Sequence, residues 1–207
     1  MSSVFDNGFL ISIPEWMKVP ILGVEKLTFW QISAVVLLIF FAMSGRLIFR
    51  HFLVKYLKKI FKIFLDSYYD DVIFTAMQPL SNLVLAAILA LFLPGIALNT
   101  SLNEVFMIVI RTYAAINVVI FCYRTVDILI HFMKNRANKT KSKLDDQLVP
   151  LIGKALKITV IIIGTIFVLQ NLKIDVTSLL AGVTIGGLAF SFAAKDTISN
   201  LFGSLTV

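Results

Sequence analysis

The 207-residue sequence contains a single cysteine, Cys122, so no disulfide framework can staple it. Charge is scarce as well, at 15% of residues, where a water-soluble domain carries about a quarter. That shortage excludes an ordinary soluble fold. The two histidines, His51 and His131, stand in separate segments, and no His/Cys/Asp spacing matches a metal cage. Gly186-Gly187 lies in an apolar run without the lysine and hydroxyl of a phosphate loop. Catalysis, a cofactor and a metal are therefore not expected. The first 26 residues lack a basic start and a small-residue cleavage site, which excludes a signal peptide. There is no repeat of 20–50 residues and no inverted pair of broken spans of the transporter kind.

What the sequence has is apolar length. Hydrophobic residues make up 58% and the mean hydropathy is +0.91. Five runs approach the roughly 20 residues that cross about 30 Å of hydrocarbon. The fold class expected is an all-α integral membrane protein with five transmembrane helices per subunit. Residues 1–26 read as an outer N-terminal segment, 27–133 as peripheral helices, 134–149 as a basic inner loop, and 150–207 as a core region opened by Pro150. Within the peripheral part, residues 46–65 read as a basic amphipathic helix on the membrane surface, with a solvated helix simply continuing the span as the alternative. Lys55, Lys58, Lys59 and Lys62 share its polar arc and suit anionic lipid headgroups. Trp16 and Trp30 suit the membrane–water interface. In the third span Arg124 and Asp127 stand three apart, so an intramembrane pair on one helical face is expected.

Orientation follows from the cations. Arg46, Arg50, Lys55, Lys58, Lys59 and Lys62 follow span one, and Lys134, Arg136, Lys139, Lys141 and Lys143 follow span three. Only Lys18, Lys26 and Lys173 fall on the other side. The positive-inside rule places the N-terminus outside and the C-terminus inside. The net charge of +7 thus points to a membrane surface rather than nucleic acid.

The fifth segment is apolar yet crowded with small residues. At 100° per residue, Gly182, Gly186, Ala189 and Ala193 form one stripe about 60° wide, and Gly187, Ser191 and Ala194 form a second. Small stripes let helices approach closely in a membrane, where van der Waals packing must hold them together. Two stripes suit a helix with a like neighbour on each side, as in a closed ring. Between them lie Thr184, Leu188, Phe192 and Lys195. This arc is expected to face the ring's centre, with Leu188 and Phe192 as an apolar constriction and Thr184 and Lys195 lining the pore. A helix buried in a monomeric bundle is the competing reading. Lys195 has two readings also: a bias toward anions, or a partner for Asp196 or a headgroup. A break near Ala194, Lys195 and Asp196 would let the last piece turn along the inner surface, with Thr197 capping it.

Leu144-Asp-Asp-Gln-Leu-Val-Pro150, Leu169-Gln-Asn-Leu172, Ile174-Asp-Val-Thr-Ser-Leu-Leu-Ala-Gly182, Gly186-Gly-Leu-Ala189 and Ala193-Ala-Lys-Asp-Thr-Ile-Ser-Asn-Leu-Phe-Gly203 together carry a resemblance. Residues 144–207 resemble the small-conductance mechanosensitive channel (MscS) family, in its five-span bacterial branch. The resemblance implies a homoheptamer in the bacterial inner membrane whose last transmembrane helix lines the pore and kinks. It also implies gating by membrane tension, with ions and small osmolytes released on hypo-osmotic shock. On it, Leu188 and Phe192 fall where the family has its apolar pore rings, and Gly182, Gly186, Ala189 and Ala193 on its tight packing face. The family's cytoplasmic β domain is absent from this chain, and Lys195-Asp196 stand where its best-known member often has glycine. The alternatives are a non-conducting membrane scaffold or regulatory subunit and, third, a secondary transporter.

Overall fold

The structure, a computed structural model, describes residues 28–64, 70–137 and 143–205. The expected outer segment 1–26 lies outside them, as do the side chains of Lys58, Lys59 and Lys62; Lys55 is exposed. Five long helices account for nearly all of the described residues: α1 (Phe29–Phe64), α2 (Asp70–Phe92), α3 (Thr100–Ala137), α4 (Lys143–Asn171) and α5 (Thr177–Leu205). Each holds a stretch long and apolar enough to cross a membrane: Phe29–Tyr56, Thr75–Ile96, Thr100–Lys134, Leu148–Asn171 and Thr177–Asp196. The chain is the all-α, five-helix membrane protein that its apolar runs predict.

The two described connections are short because local chemistry ends α2 and α4 sharply. After α2, a 3₁₀ turn over Leu93–Ile96 closes on Ala97 in the left-handed conformation (φ 53°). Asn99 then caps α3, its side-chain oxygen accepting from the Ser101 N–H at 3.3 Å. At the end of α4, the Ile174 N–H reaches the Leu169 carbonyl at 3.2 Å and the Lys173 N–H reaches that of Gln170 at 3.1 Å. That is a Schellman closure, with Lys173 rather than glycine in the left-handed position (φ 61°). Asp175 then receives the Thr177 N–H and hydroxyl at 2.9 and 2.6 Å, which starts α5. These two bonds favour the charged carboxylate and hold Asp175 below its ordinary pKa.

α1 packs on α2, α2 on α3 and α3 on α4, in sequence order. The pairings run antiparallel. Gly45 faces Ile88 while Phe41 meets Phe92 edge-on at 6.3 Å between ring centroids. Gly153 faces Ile130, and Gly164 faces Val119. The buried core is small, built around Leu38, Ala86, Leu93, Ile96 and Ile110. Most large apolar side chains point outward, among them Phe40, Leu91 and Phe190. Such a surface would aggregate in water but costs nothing against lipid tails.

Three expectations are corrected. Span one and the basic segment are one unbroken helix, since α1 runs 36 residues without a break. The sequence there has no proline, and its amphipathic second half continues the helix it inherits. Pro150 does not open the fourth helix, which begins seven residues earlier at Lys143, while α3 extends to Ala137. Asp145 and Asp146 lie in the first turn of α4, where negative charge suits the helix dipole. The loop 134–149 therefore shrinks to residues 138–142, which lie outside the described residues. Finally, the helix is not interrupted at Ala194, Lys195 and Asp196: α5 is helical throughout Thr177–Leu205. Two alanines, a lysine and an aspartate include no glycine or proline to break the ladder.

Candidate functional site

Polar groups fasten α2 to α3 and α3 to α4 at depth. Pro79, buried inside α2, has no N–H, so the Thr75 carbonyl one turn earlier loses its usual helical donor. Arg124 of α3 donates to that carbonyl and to Gln78 Oε1, the latter at 3.4 Å. Further along the same interface, Asn82 donates to Asn117 at 2.7 Å, and Asn117 returns a bond to the Tyr113 carbonyl at 2.8 Å. On the other flank of α3, Asp127 pairs with Lys157 of α4 at 2.5 Å. Lys157 also lies over the Tyr123 ring, 4.6 Å from its centre.

The expected pairing of Arg124 with Asp127 is thus corrected. Spacing of three permits a bond along one helix, but each side chain instead crosses to a different neighbour. Arg124 meets the carbonyl whose helical donor Pro79 withholds, and Asp127 meets a lysine. Lys157 was the partner to look for, a cation in span four facing an acid in span three. A second ion pair, Lys173 with Glu104, joins the end of α4 to the start of α3.

α5 contrasts with all of this. Among the described residues it has no packed interface with the other four helices, and every residue from 177 to 193 is exposed. Leu188 is 57% and Phe192 73% exposed, and Ile185, between them and the start of the helix, 68%. Thr184 satisfies its hydroxyl on the Leu180 carbonyl at 2.8 Å, so it can line either a dry or a wet surface. Lys195 and Asp196 are exposed, and Ala194 is half-buried.

The glycines divide along the same line. A Cβ built on Gly45 would stand 2.7 Å from Ile88 Cδ1, and one on Gly153 2.7 Å from Ile130 Cγ1. On Gly164 it would collide with both methyls of Val119. These glycines serve contacts inside the chain. Around Gly182, Gly186, Gly187 and Gly203 nothing stands within 4 Å. The small-residue stripes, including Ala189 and Ala193, are intact surfaces that one chain does not use. Gly45, Gly153 and Gly164 were not singled out from sequence because each is isolated in its run; only the stripes repeat.

Comparison with known proteins bears on this pair of helices. Residues 154–195 match the model of the mechanosensitive ion channel family's transmembrane helices 2/3. The match covers most of α4 and the part of α5 holding both stripes, Leu188, Phe192 and Lys195. In this stretch the chain is similar to the mechanosensitive ion channel family. It is 35% identical over 113 residues to the large-conductance mechanosensitive channel MscMJLR of Methanocaldococcus jannaschii, covering 54% of this chain and 30% of that one. The small-conductance mechanosensitive channel MscMJ of the same organism is 33% identical over 88 residues, 42% of this chain and 25% of its own. An uncharacterized MscS family protein of Bacillus subtilis, YhdY, is 32% identical over 122 residues, 58% and 33%. The chain spans between a quarter and a third of the length of these relatives. No solved structure matches it.

Proposed function

We propose that this chain supplies the membrane part of a tension-gated channel in the cell membrane, passing ions and small osmolytes when swelling stretches the bilayer. The observation that carries the reading is α5: a membrane-length helix with glycine stripes and no packed partner among the described residues. Gly182, Gly186 and Gly187 each cost about 1 kcal/mol of helix propensity against alanine. A helix facing only lipid gains nothing for that cost of about 3 kcal/mol. Copies of itself on both flanks recover it through close backbone packing.

In the assembled ring, a homoheptamer in this reading, the arc of Thr184, Leu188, Phe192 and Lys195 turns to the axis. Leu188 and Phe192, one turn apart, form two apolar rings that exclude water and thereby ions. Tension favours whichever state occupies more area in the bilayer, and this difference is what the stimulus acts on. The ring widens as neighbouring helices slide along their glycine and alanine stripes. The α1–α4 row, fastened by its polar crossings, moves as a unit in the lipid and transmits the pull, with Lys55, Lys58, Lys59 and Lys62 against inner-leaflet headgroups. The N-terminus lies outside and α5 ends inside. The relatives named as mechanosensitive channels support this reading.

The test is patch recording of the intact protein in liposomes under suction, together with its mass in detergent. A multi-subunit mass with pressure-dependent openings supports the channel; a stable complex with no conductance at lytic tension makes the chain a scaffold.

A further inference from the structure

Among the described residues Arg111 is exposed and has no hydrogen-bond or ion-pair partner, although it belongs to the membrane-length stretch of α3. The cation at the same end of the fold, Lys173, is engaged on Glu104. The height of Arg111 follows from the α3–α4 register. Ile130 faces Gly153 and Val119 faces Gly164, so eleven residues along α3 match eleven back along α4. Carried two turns further, the register sets Arg111 level with Leu172, just past the end of α4, at the membrane's edge rather than its middle.

Inward of Arg111, the same flank opens into a groove of about 270 Å³ between α3 and α4. Val118, Cys122, Val160, Ile163 and Phe167 line it. The hydroxyl of Thr159, also in its wall, is turned to the Ala155 carbonyl at 2.9 Å, so the groove is apolar throughout. Val118 stands seven residues from Arg111, which is about 10 Å along the axis and within about 20° of the same face.

We propose that this flank is a phospholipid site, with the lipid phosphate on Arg111 and an acyl chain in the groove. The two ends of the site match the two ends of that ligand in chemistry and order: a free guanidinium, a fork suited to phosphate, at the surface and an apolar slot directly below it. A neutral apolar helix from another copy would fill the slot and leave the guanidinium unpaired.

The experiment is native mass spectrometry of the intact protein released from detergent after equilibration with phosphatidylglycerol or with diacylglycerol of the same chains. Phosphatidylglycerol adducts are expected to exceed diacylglycerol adducts at least threefold. Arg111→Gln should remove that preference, Arg111→Lys should restore part of it, and Cys122→Phe, which fills the groove, should reduce adducts of both lipids. Lys154→Gln, an exposed cation elsewhere on α4, should leave adducts unchanged. Equal uptake of the two lipids by the native protein, or no change in Arg111→Gln and Cys122→Phe, overturns the proposal. So does loss of oligomer mass in Arg111→Gln with lipid adducts intact, which would assign the flank to another copy. None of these readouts depends on conduction.

Discussion

Adding a methyl group to different glycines should have opposite consequences, and the structure ranks them. Gly164→Ala drives a Cβ into both methyls of Val119. Valine in a helix is held in one rotamer, so it cannot turn away and the helices must separate. Overpacking of this kind costs about 1–3 kcal/mol, against about 1 kcal/mol gained from alanine's helix propensity. The net effect is a loss of up to about 2 kcal/mol. Gly153→Ala meets the branch and tip of Ile130, and Gly45→Ala only the tip of Ile88, which can swing aside, so both should lose less. Gly186→Ala meets nothing and should stabilise the single chain by up to about 1 kcal/mol. Gly186→Leu should likewise leave the single chain folded while preventing neighbouring α5 helices from closing. Unfolding in sodium dodecyl sulfate, followed by far-ultraviolet circular dichroism, reads the first effect, and mass in mild detergent reads the second. A stable Gly164→Ala alongside a Gly186→Leu that keeps full oligomer mass would refute the division between inward and outward glycines.

Leu188→Ser and Phe192→Ser should each wet the constriction, lower the pressure threshold in patches and slow growth of cells that carry them; unchanged thresholds in both would remove these residues from the gate. Lys157→Met leaves Asp127 unpaired at membrane depth and should cost about 2.5–3.5 kcal/mol, much of it recovered when Asp127→Leu is added, a coupling that a double-mutant cycle measures. Arg124→Met removes the bonds that α3 donates to the Thr75 carbonyl and Gln78 and should weaken the α2–α3 pairing by about 1–3 kcal/mol. Because Asp175 is held below its ordinary value, near 3.8, its bonds to Thr177 contribute at all pH above that value and fade as pH falls through the lower folded one. Amide exchange at Thr177 should accelerate over that acid window and lose its pH dependence in Asp175→Asn.

Five spans were legible in the sequence because apolar runs of membrane length have almost no other stable home. The lengths of the helices were not, because once outside the hydrocarbon a helix continues for as long as its residues permit. Thus α1 runs on through its basic half, and α4 starts at Lys143 ahead of Pro150. The stripes of α5 were legible because a repeat of glycine and alanine has a phase. The partners of Arg124 and Asp127 were not, since they depend on which neighbour each helix meets and, for Arg124, on the donor that Pro79 withholds. The uninterrupted course of α5 through Lys195 and Asp196 agrees with local propensity; the return of charges and hydroxyls at Lys195–Asn200 suggested a break there, but polar residues end a helix only where the backbone also turns.

Distances between identical copies of α5 test the central claim most directly. Spin labels placed singly at Leu188, Phe190 and Phe192 of the intact protein in nanodiscs can be compared by pulsed dipolar spectroscopy. Labels at 188 and 192 should give the shorter inter-copy distances and those at 190, on the far side of the helix, the longer. The reverse order, or no inter-copy dipolar signal at any of the three, would contradict a ring of α5 helices turning leucine and phenylalanine to a shared axis.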